Sequence, residues 1–496
     1  MTTPFTHLDK LYIDGGWVPA SGGFDDVINP ATEVSIGRAP VGGKAEAEHA
    51  IAAARQAFDH GPWPRMNMAE RADVMRKMHA ALIARKAEIA SLIMAEVGCA
   101  AGVTHMMQVA MPIDHLLDAI NQCTGDATRY LPITATPNMM DPSAPKTLGG
   151  TTVVREPVGV VAGITGYNFP FLLNLAKITP ALLAGNTLVL KPAPQTPFSA
   201  LLFGLVADEI GLPRGVLNII TGGPDVGGLL SSHPQVDLVT FTGSEGVGAM
   251  IMAQAAPTLK RVHLELGGKS PYIVRHDADV LLAAQRAVGF LTVNAGQGCA
   301  IPTRLIVHNA IRPQFVAAAV AVAAHFRIGN AVDPGVLMGP LISAAQRAKV
   351  ETLIQTARDE GATLVHGGGR PAGLTKGWFT DVTLFDNVDN ASTLAQEEVF
   401  GPVGAIIGFD DDDEAIAIAN ASRYGLAGAI DSADAATAWA IAHRLRTGSV
   451  AINGGTGTMA FAPIGGYKRS GIGREYGPDW LREFQEEKSL FYPLGR

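Results

Sequence analysis

The sequence predicts an α/β protein built from two doubly wound parallel sheets, each with helices on both faces. Three observations carry this. The chain has 496 residues, too many for one core, so two or three domains are expected. From residue 158, short β-branched apolar runs alternate with helical stretches, the pattern of a parallel sheet covered on both sides. After Cys299 the alternation begins again.

The elements follow in order. Residues 68–97 read as one long amphipathic helix, with Val74, Met78, Leu82, Ile89 and Ile93 at spacings of four or seven and Gly98 as its stop. Strands are expected at VGVVAGI (158–164), NTLVLK (186–191), VLNII (216–220), DLVTF (237–241) and VHLEL (262–266). Helices between them are FLLNLAKITPALLAG, TPFSALLFGLVADEIG, a short DVGGLLSS and GVGAMIMAQAA. The second series runs TRLIVH, FVAAAVAVAAHF, ATLVHGG, PVGAIIGF and GSVAIN. Its Ala-rich run 315–324 reads as a buried helix and is far below the ~20 residues that span a bilayer. The acidic run 410–414 reads as a solvated helix start that complements the helix dipole. The tail EEKSLFYPLGR is too short for its own core and reads as an edge strand in need of a neighbour.

Composition bounds the function. With 47% hydrophobic and 17% charged residues the chain is ordinary soluble protein, and a net charge of −8 offers no basic footprint for nucleic acid. The N-terminus lacks a cationic start followed by an apolar stretch, so no signal peptide and no membrane partner are expected. Cys99, Cys123 and Cys299 are far apart and form no CxxC, which argues against a disulfide framework or a metal site and for a reducing cytoplasm.

Several loops carry polar residues suited to chemistry. TFTGSEGVG (240–248) leaves a strand and opens a helix, so Gly243 and Ser244 meet the N–H groups and dipole that favour a phosphate. Alone it is equally an ordinary β-to-α turn. KPAPQTP (191–197) holds Lys191 on a proline-stiffened loop at the sheet's carboxyl edge, where ligands bind such sheets. SGIGREYG (470–477) looks like a dinucleotide fingerprint but has no strand leading into it, and reads as a decoy. NAGQGC sets Cys299 after Gly296 and Gly298 and beside the Gln297 amide. Most free cysteines are small buried hydrophobes, so the turn alone does not make a nucleophile.

Taken in order, ITGYNFP, KPAPQTP, FTGS, LELGGKSP, NAGQGC, EEVFGPV, GSVAIN and PIGGYKRSGIGRE resemble the aldehyde dehydrogenase superfamily. The resemblance covers most of the chain. It implies a nicotinamide-cofactor domain (1–128 and 152–266), a catalytic domain (267–478) and oligomerisation strands (129–151 and 479–496), and hence a homodimer or homotetramer. It implies Cys299 as nucleophile, Glu265 as the base that activates water, and Asn168 with the Cys299 N–H as the oxyanion hole. Lys177 and Glu475 match further active-site positions. Lys191 and Glu398 would hold ribose hydroxyls, Phe400 would pack near the nicotinamide ribose, and Ser244 would meet the pyrophosphate. Ile164, Thr165, Gly166, Tyr167, Ala193, Pro194, Gly227, Phe241, Thr242, Gly243, Val247, Leu266 and Gly267 match other cofactor-lining positions.

The chemistry needs these residue types. An aldehyde has no leaving group, so a thiolate must first add to the carbonyl. The oxyanion so formed needs fixed donors, and losing one typically costs ~10²–10³ in rate. Hydride transfer to a nicotinamide leaves a thioester, and a carboxylate takes the proton of the water that cleaves it. Glycines at 296 and 298 are expected to let the loop approach both cofactor and substrate.

Three departures from the family pattern bear on specificity. Pro194 stands where the family often has a Glu that pairs with the adenosine ribose and repels a 2′-phosphate, so one feature that favours NAD over NADP is absent. NAD is still the expected cofactor because no Arg is offered nearby to a phosphate, with NADP as the alternative. Gly166 and Tyr167 replace the usual Pro and Trp, while Asn168 is kept. Leu173, Ala176, Val293 and Ile464 are smaller than is common along the substrate tunnel, which suggests a wide apolar funnel for medium or large hydrophobic aldehydes, aliphatic or aromatic. Rival readings are a coenzyme-A-acylating semialdehyde dehydrogenase, a cysteine acyl-transferase or hydrolase without nicotinamide, and a catalytically silent binding protein on this fold. Glu265 argues against the first, the lack of a His beside the cysteine motif against the second, and retention of Cys299, Glu265 and Asn168 against the third.

Overall fold

A computed structural model describes residues 8–122, 128–455 and 461–494, so Cys123 lies outside the described residues. The first large sheet has eight strands in the order Gly16–Val18, Leu11–Ile13, Leu217–Ile219, Thr187–Lys191, Val160–Ile164, Leu238–Thr242, Arg261–Glu265, Gly471–Ile472. The five central strands are the predicted ones and run parallel. The pairs at either edge are antiparallel.

Alternation along these strands sorts side chains between two cores. Val161, Leu188, Leu190 and Ile219 pack with the helices Pro170–Ala184 and Phe198–Ile210. Val160, Ala162, Ile164 and Val189 pack with Lys44–His60, Pro224–Ser232 and Glu245–Ala255. Both faces are covered, so the central strands can be apolar throughout.

The second sheet has seven strands in the order Thr363–His366, Thr383–Asp386, Val403–Phe409, Pro302–His308, Ser270–Val274, Ala429–Asp431, Ala451–Ile452. All neighbours are parallel except Thr363–His366, an antiparallel edge. Tyr272, Val274, Leu305 and Val307 face one core, and Ile273, Ile306 and Ile430 face the other. The C-terminal strand Gln485–Pro493 finds its neighbour in its own chain, pairing antiparallel along Thr147–Pro157, which also takes Arg129–Tyr130 and Thr134–Thr136.

Several expectations need correction. Residues 68–97 form two helices, Met68–Ala84 and Lys86–Glu96, because Arg85 leaves helical geometry (φ −102°, ψ 7°) and its guanidinium turns back to bond the Ala81 carbonyl and pair with Glu209. The helix Arg312–Ala324 is not buried. Phe315, Ala319 and Ala323, one per turn, are buried, Val316, Ala318, Val320 and Val322 pack against the core while half-exposed, and Ala317, Ala321 and Ala324 face solvent. The acidic run does open a helix, Asp412–Asn420, with Asp411 accepting the Glu414 N–H at 2.9 Å. Among the described residues no helix is long and apolar enough to cross a membrane.

Candidate active site

The parallel registers bring chemistry to one edge. Ile164 lies opposite both Lys191 and Phe241, and Thr242 opposite Glu265. The loops beginning at Thr165, Pro192 and Gly243 therefore leave the same carboxyl edge, and Glu265 ends its strand there. The second sheet faces that edge with its amino ends. Gly267–Lys269, Cys299 and Glu398–Phe400 immediately precede the strands Ser270–Val274, Pro302–His308 and Val403–Phe409.

The cysteine loop is held in an unusual conformation. After the helix Val280–Thr292, Asn294, Ala295 and Gly296 are consecutively left-handed, with φ of 47°, 54° and 73°. For Asn294 and Ala295 this costs on the order of 1 kcal/mol each, and the surroundings must hold it. Gly296 is required by contact as well as by φ, since a Cβ there would sit 2.2 Å from the Gly401 carbonyl carbon. A Cβ on Gly298 would meet Ile301 at 2.7 Å. The expectation that these glycines make room for ligands is thus corrected: they make room for the protein's own backbone and Ile301. The buried Gln297 amide donates to the Asn294 carbonyl (3.0 Å) and accepts the Ile342 N–H (3.0 Å), stapling the loop to a distant segment.

Asn168 is not the cap of the helix after it. That helix starts at Pro170 with Phe169 in the cap position, and Asn168 Nδ2 instead donates to the Gln297 carbonyl at 3.0 Å. An amide carries two N–H groups, so one remains for a substrate oxyanion. Cys299 is half-buried, and its carbonyl lies against Gly268, where a Cβ would come within 2.4 Å. Burial, then the carboxylates of Glu398, Glu265 and Glu475, pushes its thiol up to about 12.

Glu265 is buried, and its Oε1 has no hydrogen-bond partner among the described residues. A Cβ on Gly465 would be 2.9 Å from that oxygen. Burial and then Glu475 raise the Glu265 carboxyl well above the usual range, against the pull of Lys177 and Arg474. Lys177 and Glu475 form a buried ion pair with each other, and Glu265 joins no ion pair among the described residues. Glu475 is held by reciprocal backbone bonds with Ile464, both 2.7 Å.

The residues matched to the cofactor line the same edge and fit a dinucleotide. Lys191 is buried and, among the described residues, donates only to the Pro192 carbonyl at 3.4 Å, and burial lowers its ammonium to about 8 against the pull of Asp225. A Cβ on Gly227 would meet the Lys191 stem only at 3.9 Å, so the helix beside it leaves room. Ser244 starts the helix Glu245–Ala255 with no side-chain cap, which leaves backbone N–H groups for an anion. Thr165 and Ala193 lie at the strand ends, Pro194 is exposed, Val247 is exposed on the first helical turn, and Leu266 packs under Gly248. Thr242 keeps a buried hydroxyl without a hydrogen-bond partner among the described residues. Glu398 Oε1 accepts the Gly268 N–H (3.1 Å), and a Cβ on Gly267 would collide with Oε2 at 2.4 Å. Phe400 is left-handed (φ 57°), and its ring meets Tyr167 edge-on at 5.9 Å. Gly473 of the decoy follows the edge strand Gly471–Ile472 and opens no helix.

Of the tunnel positions, Leu173 lies 3.6 Å from where a Gly166 Cβ would be. Ala176 is buried beside His115, Thr179 and Tyr476. Val293 is half-buried between helix and cysteine loop, and Ile464 half-buried beside Glu475. Residue reasoning missed Gln108, which bonds the Asn168 carbonyl, and Phe169, whose ring is 3.9 Å from a Gly298 Cβ. The ring inside ITGYNFP, next to Asn168, is a usable signal for Phe169; nothing local marks Gln108.

The profile of the Aldehyde dehydrogenase family matches residues 17–490. A 3-succinoylsemialdehyde-pyridine dehydrogenase from a Pseudomonas species is 40% identical over 484 residues, 97% of this chain and 98% of that protein. Among solved structures, a mutant aldehyde dehydrogenase C from Pseudomonas syringae, complexed with NAD+ and octanal, is 39% identical with a TM-score of 0.90 over 98% of this chain and 96% of that one. An aldehyde dehydrogenase from Mycobacterium tuberculosis complexed with NAD+ is 41% identical, with a TM-score of 0.91 over 98% and 99%. Betaine aldehyde dehydrogenase from Staphylococcus aureus with NAD+ is 36% identical, with a TM-score of 0.93 over 97% and 94%. The order of the motifs, the paired sheets and these matches agree, and the chain belongs to the aldehyde dehydrogenase family as one of its enzymes.

Proposed function

We propose that this aldehyde dehydrogenase oxidises medium or large hydrophobic aldehydes to carboxylic acids with NAD, releasing the acid by hydrolysis. The observation that carries the reading is the convergence of Cys299, Asn168 and an unpaired Glu265 between the facing edges of two sheets. The Cys299 thiol gives its proton to water, the sulfur adds to the aldehyde carbon, and the carbonyl oxygen becomes an oxyanion met by the second Asn168 N–H and the Cys299 N–H. NAD supplies the acceptor for the hydride that leaves this carbon. Lys191, Glu398 and the helix start at Ser244 hold and orient the dinucleotide. Water then attacks the thioester carbonyl while Glu265, ionised, takes its proton, and the acid and free thiol separate. Glu475 and Lys177 flank Glu265 and set its proton affinity in opposite directions.

NAD rather than NADP is supported by the three NAD+-bound relatives, although Pro194 lacks the carboxylate that would repel a 2′-phosphate. The apolar substrate is supported by Leu173, Ala176, Val293 and Ile464 and by the octanal complex of the Pseudomonas syringae relative. The first sheet, apart from its edge strand Gly471–Ile472, is assigned to the cofactor domain (1–128 and 152–266), the second to the catalytic domain (267–478), and the terminal strands (129–151 and 479–496) to assembly of two or four copies. Cytoplasmic location is supported by the scarcity of cysteine.

The test offers octanal and benzaldehyde, each with NAD and with NADP, without coenzyme A, and follows reduced nicotinamide. Turnover with NAD is expected, with loss in Cys299→Ala and an unchanged fold. Turnover only on adding coenzyme A would replace hydrolysis with acyl transfer.

A further inference from the structure

We propose that Gln108, delivered by a π-helical turn, is a positioning residue that fixes the oxyanion-binding Asn168. The inference rests on the assignment of Asn168 to the oxyanion hole. The helical segment before the site runs Ala101–Val103, then a wide turn Thr104–Ala110, then Met111–Gln122. The wide turn closes with the Met111 N–H on the Met106 carbonyl, five residues back. Such turns insert one residue into a helix and are frequent at functional sites. Here the insertion leaves His105 and Met106 outside while Gln108 and Val109 enter the interior, ahead of the buried Pro112, Ile113, His115 and Leu116.

Gln108 is fully buried, and its Nε2 donates to the Asn168 backbone carbonyl at 3.1 Å. Its Oε1 has no hydrogen-bond partner among the described residues. A buried amide with half its capacity unused is costly, and a core alone would be served better by an apolar side chain. The same Asn168 carbonyl also accepts Asn294 Nδ2 at 2.8 Å, from the left-handed stretch of the cysteine loop. Two amides on different segments thus clamp one carbonyl. Gln108 ties Asn168 to the helix that runs beside Ala176, and Asn294 ties it to the loop that carries Cys299. The Asn168 side chain takes its direction from this doubly held peptide. Gln108 touches no reacting atom and acts through Asn168.

The consequence is a defect in rate rather than in binding, because a shift of about 1 Å in a catalytic group can cost about 10²-fold. Three variants are compared by the pre-steady-state burst of NADH with octanal, by kcat and KM, and by NAD affinity from tryptophan fluorescence. Gln108→Met keeps length and removes the donor; it should slow the burst about tenfold to hundredfold with NAD affinity unchanged. Gln108→Glu keeps shape. Its carboxyl can donate when protonated and only repel the Asn168 carbonyl when ionised, so its burst rate relative to the unmodified enzyme should fall as pH rises. Asn168→Ala should slow the burst by about 10²–10³. If Asn168→Ala is slow and Gln108→Met is not, the inference fails and the oxyanion assignment stands. If Asn168→Ala is as fast as the unmodified enzyme, the assignment fails and takes the inference with it. If Gln108→Met does not fold, the pH dependence of Gln108→Glu decides, and a flat ratio overturns the proposal.

Discussion

Cys299 and Glu265 are each held by the other's surroundings in a resting form. The thiol is pushed up to about 12 by burial and by three carboxylates, Glu265 among them, and Glu265 itself holds its proton well above the usual carboxyl range. In the alkaline range where the thiol titrates, Glu265 is ionised and repels the incipient thiolate. Glu265→Gln removes that repulsion, so the pH midpoint for alkylation of Cys299 by iodoacetamide should move down. The same variant loses the base for hydrolysis, so steady-state turnover should fall by about 10²–10⁴ while the first burst of NADH survives. A midpoint that stays or moves up would remove Glu265 from the thiol's surroundings. Cys299, Glu265 and Asn168 were legible in the sequence because each sits inside a short motif with fixed neighbours. Gln297 was visible as an amide beside the cysteine, but its work was not: its partner Ile342 is 45 residues away, and that distance has no trace in local pattern.

At the level of elements, the apolar strands of the first sheet were legible because burial on both faces leaves little room for other residue types. Breaks in helices were not. Arg85 is a good helix former, and only its contacts with Ala81 and Glu209 explain why Met68–Ala84 ends there. The wide turn at Thr104–Ala110 leaves the composition of its helix unchanged. Glu96 is a further case. It closes the helix Lys86–Glu96, yet its carboxyl is fully buried and accepts the N–H groups of Phe198 (2.6 Å) and Ser199 (3.2 Å) at the start of the helix Phe198–Ile210. Burial pushes it up to about 8. The folded chain therefore keeps a proton that the unfolded chain releases near the ordinary carboxyl value, and this group's contribution to stability falls as pH rises from about 4.5 to about 8. Glu96→Gln keeps an acceptor and cannot titrate, so its melting temperature relative to the unmodified protein should rise steadily over that window. Glu96→Ala leaves two buried donors unpaired and should cost on the order of 3 kcal/mol in denaturant unfolding. A constant Tm difference between Glu96→Gln and the unmodified protein from pH 5 to 8 would show that Glu96 is ionised throughout.

For the whole molecule, the candidate site draws on both sheets of one chain, whereas the terminal sheet exposes an apolar edge. The rule that open sheets bind ligands at their carboxyl ends located half the site, but the second sheet contributes Cys299 and Glu398 from amino ends, which alternation along the sequence does not reveal. The terminal sheet presents a different surface. Gln485–Pro493 is its edge, and all but the first of those nine residues are exposed. Phe491 is 79% exposed and Tyr130 72%, with Ile133, Leu148, Leu490 and Tyr492 exposed beside them. An edge strand with apolar side chains in water is a template for association, and a second copy of the chain, bringing the same strand, would cover it. Because Cys299, Asn168 and Glu265 come from one chain, assembly should be separable from chemistry. Phe491→Glu places a charge at the centre of the patch, so light scattering should report a smaller mass than that of the unmodified protein, with kcat per chain changed less than about tenfold. An unmodified protein that is already monomeric, or a variant of undiminished mass, would place the contact between copies elsewhere and leave the exposed strand without its partner.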